Sequence, residues 1–325
     1  MWIKRTLYGV VALFLLALVT SIIWTQVAPQ QVVNILAKAE RRAAQLEPVD
    51  VEIPGFRVAT LQGGDGPPLV LIHGFGGDKD HFTRVAKYLT PHYRVIAIDL
   101  PGFGESDKPD EAAYGIRAQT ERLAAVLDVL SLPSTHLGGS SMGGWIVAAF
   151  AVLYPERVDS LWLLAPGGLI TANESDVRRI YRETGRNVLT AETPESFRRV
   201  MDVVFAEPPF IPGPIKRHLA ERAAQHHSLH TRIFEELLQE AFWMEPQLRG
   251  NPTPALIVWG NRDRVLDASG GAIYAELLPN GTLEVMPKIG HLPMIENPKA
   301  SAERYFAFRD GLAQPEPSPE PEAAP

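Results

Sequence analysis

Short apolar runs alternate with amphipathic segments along residues 50–311. The runs are aliphatic along their whole length, which is typical of strands that helices cover on both faces of a sheet. Because strands and helices alternate, the pattern predicts the α/β class, with right-handed crossovers and a mostly parallel sheet. The predicted strands are residues 68–72, 93–98, 135–138, 161–164, 255–259 and 282–285, and the predicted helices are 82–89, 116–130, 145–154, 269–278 and one that begins at 298.

The alternation stops after Pro166 and resumes near residue 247. Between these points the chain has only segments with helical spacing of apolar residues, separated by prolines. These segments are residues 175–184, 195–205, 214–224 and 229–242. The sequence therefore predicts a helical cap of residues 171–246, inserted into an α/β core that is made of residues 51–170 and 247–311.

An uncharged and strongly apolar run covers residues 6–28 and follows Lys4 and Arg5. A helix that spans the hydrocarbon layer needs about 20 apolar residues, so the run is long enough to cross a membrane. We expect residues 1–30 to form a single-pass anchor. A cleaved signal peptide followed by export, and a buried core helix, are the alternatives. Basic residues lie on both sides of the run, so the side of the membrane that holds the rest of the chain stays open.

The segment after the anchor and the C-terminal segment have their own patterns. Five apolar residues share one helical face: Val32, Leu36, Ala39, Ala43 and Leu46. Residues 31–50 are therefore predicted to form an amphipathic stalk helix and a linker, with the helix either packed on the domain or lying in the bilayer surface. Residues 312–325 are rich in proline and glutamate and are predicted to be disordered, since they cannot bury enough apolar surface.

Composition narrows the possible classes of function. With 325 residues, of which 46% are hydrophobic, the chain can build a large core without support from metals or disulfides. It has no cysteine, which excludes a cysteine nucleophile and cysteine-ligated zinc or iron–sulfur sites. The formal net charge of −7 provides no basic field for a polyanion, so nucleic acid is not an expected partner.

Residues 139–143 read Gly-Ser-Ser-Met-Gly and lie between a predicted strand and a predicted helix. A nucleophile elbow requires this context, because the serine must occupy a strained turn that holds its hydroxyl clear of the sheet. Glycine is needed two residues before and two residues after the serine, where a side chain would collide with neighbouring backbone. Only Ser141 has glycine at both positions, so Ser141 is the predicted nucleophile.

A serine hydroxyl needs a base that activates it and an acid that orients the base. In this strand–helix arrangement, the acid and then the base follow the serine along the chain. Asp263 follows the second-last predicted strand, and His291 follows the last one. Because sites in open α/β sheets gather at the carboxyl ends of strands, we expect both residues to lie near Ser141. Asp267 is the alternative acid.

The attacked carbonyl would become an oxyanion, which needs backbone N–H donors. Met142 follows the predicted nucleophile at a helix N-terminus, where free N–H groups favour negative charge. The glycine-rich loop at residues 73–77 is the expected source of the second donor, which would be the N–H of Phe75. His73 and Asp99 are expected to stabilise loops rather than to take part in chemistry.

These motifs resemble those of the α/β-hydrolase superfamily and come in the same order. They are residues 73–76, 99–106, 139–143, 259–263 and 290–291, and the resemblance covers about residues 50–310. Residues 73–82, 160–164 and 259–270 are more narrowly similar to membrane-anchored monoacylglycerol lipases and related bacterial lipases. The resemblance implies a catalytic triad of Ser141, Asp263 and His291, a helical cap over an acyl pocket, and no cofactor.

We therefore expect a membrane-anchored serine hydrolase that cleaves carboxylic esters, with a small acyl ester or a lipid as substrate. Apolar residues in the predicted cap favour a monoacylglycerol or a short-to-medium acyl ester: Phe197, Val203, Phe205, Phe210, Ile233, Leu237 and Phe242. An acyltransferase or a carbon–carbon bond hydrolase would use the same triad, so both stay open. A non-catalytic, membrane-tethered binding module is the alternative from another class. The oligomeric state is not predicted.

Three histidines of the predicted cap suggest a metal site. His226, His227 and His230 are close in sequence, and the last two could share a helical face. No carboxylate at ligand spacing completes the set, however. We therefore expect a solvent-exposed histidine cluster and no bound metal.

Overall fold

The computed structural model describes residues 20, 23–240 and 242–313, and eight strands in these residues form one sheet. The strands are β1 (Glu47–Ile53), β2 (Phe56–Gly63), β3 (Pro68–Ile72), β4 (Arg94–Ile98), β5 (Thr135–Ser140), β6 (Val158–Leu164), β7 (Ala255–Gly260) and β8 (Gly281–Met286). Their order across the sheet is β1-β2-β4-β3-β5-β6-β7-β8. β2 pairs antiparallel with β1 and β4, whereas the other neighbouring strands pair in parallel. The predicted mostly parallel sheet is confirmed.

The hairpin of β1 and β2 at one edge of the sheet is not among the strands that the apolar pattern predicts. In β1 only Val51 and Ile53 are buried. An edge strand that faces solvent needs no continuous aliphatic run, so the apolar pattern does not reveal it. Gly55, with a φ of +82°, lies in the turn between the two strands. β1 begins at Glu47, so the sheet starts inside residues 31–50, which were predicted to be stalk helix and linker.

Helices surround the sheet and also form the segment between β6 and β7. They are α1 (Pro29–Ala43), α2 (Thr83–Leu89), α3 (Ile116–Val129), α4 (Met142–Leu153), α5 (Asp176–Thr184), α6 (Pro194–Val204), α7 (Gly213–Gln225), α8 (His227–Glu240), α9 (Met244–Gln247), α10 (Ser269–Leu277), α11 (Pro293–Glu296) and α12 (Pro298–Ala313). Short 3₁₀ turns cover Lys79–Phe82 and Pro155–Arg157. The side chain of Asn297 accepts a hydrogen bond from the N–H of Ala300, which caps the start of α12.

Two hydrophobic layers hold the helices on the sheet. On one face, α3, α4 and α10 pack on the strands through a cluster that includes Leu123, Phe150 and Leu277. On the other face, α2 and α12 pack through a second cluster that includes Val85 and Leu89. Each fully buried side chain of this kind stabilises the fold by roughly 1.5–3 kcal/mol relative to an exposed one. Coverage of both faces explains why the strands are aliphatic throughout.

The cap consists of α5 to α9, and its four longer helices lie close to the four helical segments predicted for residues 171–246. α8 lies over the carboxyl edge of the sheet. The ring of Phe234 is 5.7 Å from that of Phe75, in the loop after β3. The ring of His230 stacks at 4.9 Å on that of Phe103, in the loop after β4. The cap therefore covers the sheet edge where α/β proteins place their sites.

α1 contacts the domain through polar side chains and buries none of its own residues. Arg41 Nε donates to Asp80 Oδ1 at 2.7 Å, while Ile35 and Leu36 remain half exposed. In the part of the chain that the structure describes, no helix is both long and apolar enough to cross a bilayer. The predicted anchor of residues 1–30 lies mainly outside that part. Of the predicted disordered tail, residues 312 and 313 belong to α12 instead, and the rest lies outside the described residues.

Candidate active site

Ser141 occupies the sharp turn between β5 and α4. Its φ of 56° and ψ of −116° are strained for a residue with a side chain, at a cost of about 1–3 kcal/mol. Hydrogen bonds from the core hold this backbone. The N–H of Ser141 donates to the carbonyl of Leu164 at 2.9 Å, and its own carbonyl accepts from Gly167 at 2.9 Å. Ser141 remains partly exposed, so it lies in the elbow that the sequence predicts.

The two glycines around Ser141 fill positions that a side chain cannot occupy. A Cβ added at Gly139 would lie 2.3 Å from the carbonyl oxygen of Gly143. A Cβ added at Gly143 would lie 2.2 Å from the carbonyl oxygen of Ile72. Optimal contact between heavy atoms is about 3.5–4.0 Å, so either side chain would displace backbone. The glycine spacing is thus a steric requirement of the turn.

Asp263 and His291 form a buried pair at the carboxyl ends of β7 and β8. Nδ1 of His291 donates to Oδ2 of Asp263 at 2.8 Å, and the two side chains are only 5% and 0% exposed. Oδ1 of Asp263 accepts hydrogen bonds from the N–H groups of Val265 and Leu266, which fix the carboxylate. Since Nδ1 carries the proton, Nε2 of the neutral ring keeps a lone pair and can accept another.

Asp267, the alternative acid, has a different partner. Its Oδ1 accepts a hydrogen bond from the N–H of Ser269, at the start of α10. The structure therefore brings Asp263, rather than Asp267, to His291. Ser141 lies at the same edge of the sheet, but within the described residues its hydroxyl makes no hydrogen bond to His291. Such contacts are often long before substrate binds.

Two backbone N–H groups beside Ser141 are free to bind an anion. Among the described residues, neither the N–H of Phe75 nor that of Met142 donates a hydrogen bond to the protein. Met142 is the first residue of α4, where N–H groups lack helical partners and the dipole is positive. Phe75 follows Gly74, at which an added Cβ would lie 3.0 Å from the Cβ of Ser141. These are the two donors expected of an oxyanion hole.

His73 lies buried beneath the loop that carries Phe75. Its Nε2 accepts from the N–H of Leu100 at 3.1 Å, and its Nδ1 is 2.7 Å from the carbonyl of Gly74. Burial lowers the pKa of His73 to about 4, so the ring stays neutral. Because both ring nitrogens bond to backbone, His73 joins the loops after β3 and β4, as the sequence suggests.

Asp99 organises the same two loops from the other side. Its Oδ1 accepts from the backbone N–H of Lys79, and its Oδ2 accepts from Lys79 Nζ at 2.7 Å and from the N–H of Glu105. Lys79 and Asp99 are almost completely buried. Burial alone would lower the pKa of Lys79, but the Asp99 carboxylate reverses this and raises it. These contacts support the expected structural role of Asp99.

The cap histidines correct one expectation, because they do not form a solvent-exposed cluster. His230 stacks on Phe103, and within the described part of the chain the Nε2 of His230 and the Nδ1 of His227 are buried without a hydrogen-bond partner. Burial lowers the pKa of His230 to about 4. The described residues contain no group of three or more histidine and acidic side chains that could hold a metal ion. His230 lies on the side of α8 that faces Phe103 and Phe75, which the sequence pattern does not reveal.

Glu296 is a charged residue near the site that the sequence predictions omit. Its carboxylate accepts a hydrogen bond at 3.0 Å from the N–H of Gly290, the residue before His291. The signal that could have identified it is its place in a short apolar stretch, Leu-Pro-Met-Ile-Glu, directly after the predicted base. A carboxylate in apolar surroundings needs hydrogen-bond partners.

A parallel sheet whose fifth strand ends in a nucleophile elbow defines the class of α/β-hydrolases. A family model described as "alpha/beta hydrolase fold" matches residues 67–298, and the chain belongs to that family. Lipase 3 of Moraxella sp. (strain TA144) is 34% identical to the chain, over 96% of this chain and 99% of that protein. Monoacylglycerol lipase ABHD6 of Rattus norvegicus is 27% identical over 78% of each chain.

A solved structure is similar over nearly the whole chain. The crystal structure of a membrane phospholipase A, titled a bacterial virulence factor, has a TM-score of 0.86 and 39% identity, and the match covers 96% of this chain and all of that one. With the lipase relatives and the family match, this similarity identifies the protein as a serine hydrolase that cleaves esters. The expected fold family, enzyme class and ester chemistry are confirmed.

Proposed function

We propose that this enzyme hydrolyses lipid esters through an acyl-enzyme formed on Ser141. The observation that carries the proposal is the buried hydrogen bond between Asp263 and His291, at the sheet edge where the elbow holds Ser141. This arrangement supports the roles of nucleophile for Ser141, base for His291 and orienting acid for Asp263.

The reaction begins when Oγ of Ser141 attacks the acyl carbonyl carbon and passes its proton to Nε2 of His291. Asp263 stabilises the resulting imidazolium, which then donates the proton to the leaving alcohol as the C–O bond breaks. In the second half, water attacks the acyl carbon and passes a proton to His291. The bond between that carbon and Oγ of Ser141 then breaks, Oγ takes the proton from His291, and the carboxylic acid leaves. The chain's own residues thus supply every proton transfer.

The unpaired N–H groups of Phe75 and Met142 would bind the oxyanion in both tetrahedral intermediates. They are placed by backbone geometry and need no rearrangement when the charge develops, which is the condition for strong stabilisation. Loss of one such donor typically lowers kcat by about 10²–10³. A helix N-terminus at Met142 adds a favourable dipole.

The apolar underside of the cap supports an acyl chain as the group next to Ser141. Ile233 and Phe242 of the cap are buried in the same cluster as Met142, at the start of α4. Phe210, which was expected to contribute, is 91% exposed and cannot line a buried pocket. Apolar walls with few polar groups are typical of sites for apolar ligands. Monoacylglycerols or short-to-medium acyl esters are the substrates that we propose.

The membrane is the second part of the proposal. The apolar run at residues 6–28 is long enough to span a bilayer and directly precedes α1. One relative is named a monoacylglycerol lipase, and a similar structure is that of a membrane phospholipase A. We propose a single-pass anchor at residues 1–30, with lipid esters reaching the site from the bilayer. Fractionation of the full chain tests this, since the protein should stay with membranes after a high-salt wash.

A substrate profile tests the proposed substrate class. Nitrophenyl esters from acetyl to palmitoyl, and a monoacylglycerol of each acyl length, would be compared for wild type and Ser141→Ala. We expect release of glycerol and free fatty acid, a clear optimum of acyl length, and no turnover by the variant. Transfer of the acyl group to an added alcohol in preference to water would indicate an acyltransferase. Activity only on carbon–carbon bonds, with no ester cleaved, would overturn the proposal.

A further inference from the structure

The carboxylate of Glu296 accepts hydrogen bonds from the loop that carries the predicted base. Its Oε1 and Oε2 accept from the N–H of Gly290 at 3.0 and 3.1 Å, and Oε1 accepts from the N–H of Leu292 at 3.3 Å. These two residues flank His291. Glu296 itself ends α11, five residues after His291. The backbone on both sides of the imidazole is therefore bonded to one carboxylate.

The same carboxylate also bonds to the cap. Oε2 of Glu296 accepts from the N–H of Ala206 at 3.0 Å, in the segment that follows α6. The N–H of His291 donates in turn to the carbonyl of Val204 at 2.9 Å. A Cβ at Gly290 would lie 2.5 Å from the nitrogen of Ala206, so the two segments are in close contact. The cap is thus paired with the histidine loop, and Glu296 completes the pairing.

Glu296 is partly buried, and a carboxylate removed from water is a costly acceptor for backbone N–H groups. Within the described residues no lysine, arginine or histidine forms an ion pair with Glu296, and burial raises its pKa while the three N–H groups act against this rise. A neutral amide would avoid the desolvation cost, but only a carboxylate offers two acceptor oxygens and no donor. Three N–H groups from two chain segments need such an acceptor.

We propose that Glu296 is a positioning residue that sets the place of His291 and couples it to the cap. The proposal rests on the role of His291 as base. It implies that the cap both covers the substrate and helps to hold His291 in its catalytic position. If the cap segment around Ala206 moves away, Glu296 loses one hydrogen-bond donor, and the loop that carries the imidazole of His291 becomes more mobile.

Two substitutions test the coupling from its two ends. Glu296→Gln keeps the shape but turns one oxygen into an NH₂ group, which cannot accept from an N–H. Ala206→Pro removes the donor on the cap and puts the ring Cδ in place of that hydrogen, next to Glu296. Phe205, with φ −102° and ψ 141°, already has the extended backbone that a residue before proline requires. Glu303→Gln is the control, because it removes the same charge from an exposed position on α12.

For both test variants we expect kcat per active site to fall, by about 10²-fold for Glu296→Gln, since a small displacement of a catalytic group costs this much. KM should stay close to that of wild type. Active sites are counted by titration with a fluorophosphonate, so a fold that is merely less stable lowers the number of sites and leaves kcat per site unchanged. Glu303→Gln should behave as wild type in both respects.

Amide hydrogen exchange gives an independent readout. In Glu296→Gln, exchange should rise in residues 204–206 and in residues 288–292 together. Unchanged kcat per site in Ala206→Pro would overturn the coupling. This test does not depend on whether Glu296→Gln folds. Unchanged kcat per site in Glu296→Gln would overturn the positioning role. Neither result would touch the proposed function, which the Ser141→Ala variant and the substrate profile test separately.

Discussion

The serine side and the histidine side of the site are held by different kinds of contact. The backbone of Ser141 donates a hydrogen bond to the carbonyl of Leu164 and accepts one from the N–H of Gly167. The glycines around it admit no side chain. His291 is buried and fixed by side-chain carboxylates and by a bond to the cap, at the carbonyl of Val204. The core alone therefore places the proposed nucleophile, whereas the proposed base depends on core and cap together.

The serine side and the histidine side should respond differently to substitution. The serine elbow is local, since all its steric requirements lie within a few residues and the adjacent strands. The histidine loop depends on cap residues about ninety positions earlier in the chain, as the pairing of Ala206 with Glu296 shows. Changes on the histidine side should therefore reduce catalysis while the serine stays in place.

The largest effect on the histidine side should come from Asp263→Asn. The amide cannot hold His291 in the tautomer with the proton on Nδ1, so kcat should fall by about 10⁴-fold while the fold persists. Circular dichroism and steady-state kinetics measure both. Asp267→Asn is the matched control, because Asp267 accepts from the N–H of Ser269 and, among the described residues, forms no hydrogen bond or ion pair with His291. Equal losses in the two variants would contradict the assignment of the acid.

A smaller effect should follow from the cap itself, through His230→Phe. Burial lowers the pKa of His230 from 6.5 to about 4, so between these values the unfolded chain takes up a proton that the folded chain does not. Stability is therefore lost as the pH falls from 6.5 towards 4, by about 1.4 kcal/mol per pH unit for one such group. The phenyl ring can keep the stacking on Phe103 and should remove this contribution.

Urea denaturation at several pH values between 7 and 4 measures the slope for both proteins. The slope should be smaller in His230→Phe but not zero, because His73 in the core has a similarly lowered pKa. At pH 7 the two proteins should differ little in stability. The variant loses the hydrogen bond of His230 to the backbone of Gly102, but it also removes Nε2, which is buried without a hydrogen-bond partner among the described residues. An unchanged slope would show that the histidine of the cap does not stay neutral.

The features that the sequence predicts are those encoded by local sequence patterns. The elbow at Ser141 follows from glycine spacing, and the parallel strands follow from aliphatic runs. The loops with Asp263 and His291 follow strands that can be recognised individually, so their common edge can be predicted from topology. The four longer helices of the cap are likewise visible, because proline and apolar spacing mark their ends.

The features that the sequence does not predict depend on contacts between distant segments. β1 is mostly exposed and has no aliphatic run, so no pattern in the sequence predicts its pairing with β2. His230 is polar, and only the packing of α8 on Phe103 buries it. In the sequence, Glu296 looks like an ordinary acidic residue at a helix end. Its role depends on the hydrogen bond that the N–H of Ala206 donates from the cap. Tertiary contacts, rather than local propensity, decide all three.

Fluorophosphonate labelling followed by peptide mass spectrometry tests the central claim most directly. Wild type should be labelled on residue 141, and Ser141→Ala should not be labelled. Ser140→Ala should be labelled as wild type, because Ser140 is fully buried. Labelling of Ser141→Ala, or a label found on any residue other than 141, would contradict the claim that Ser141 is the nucleophile.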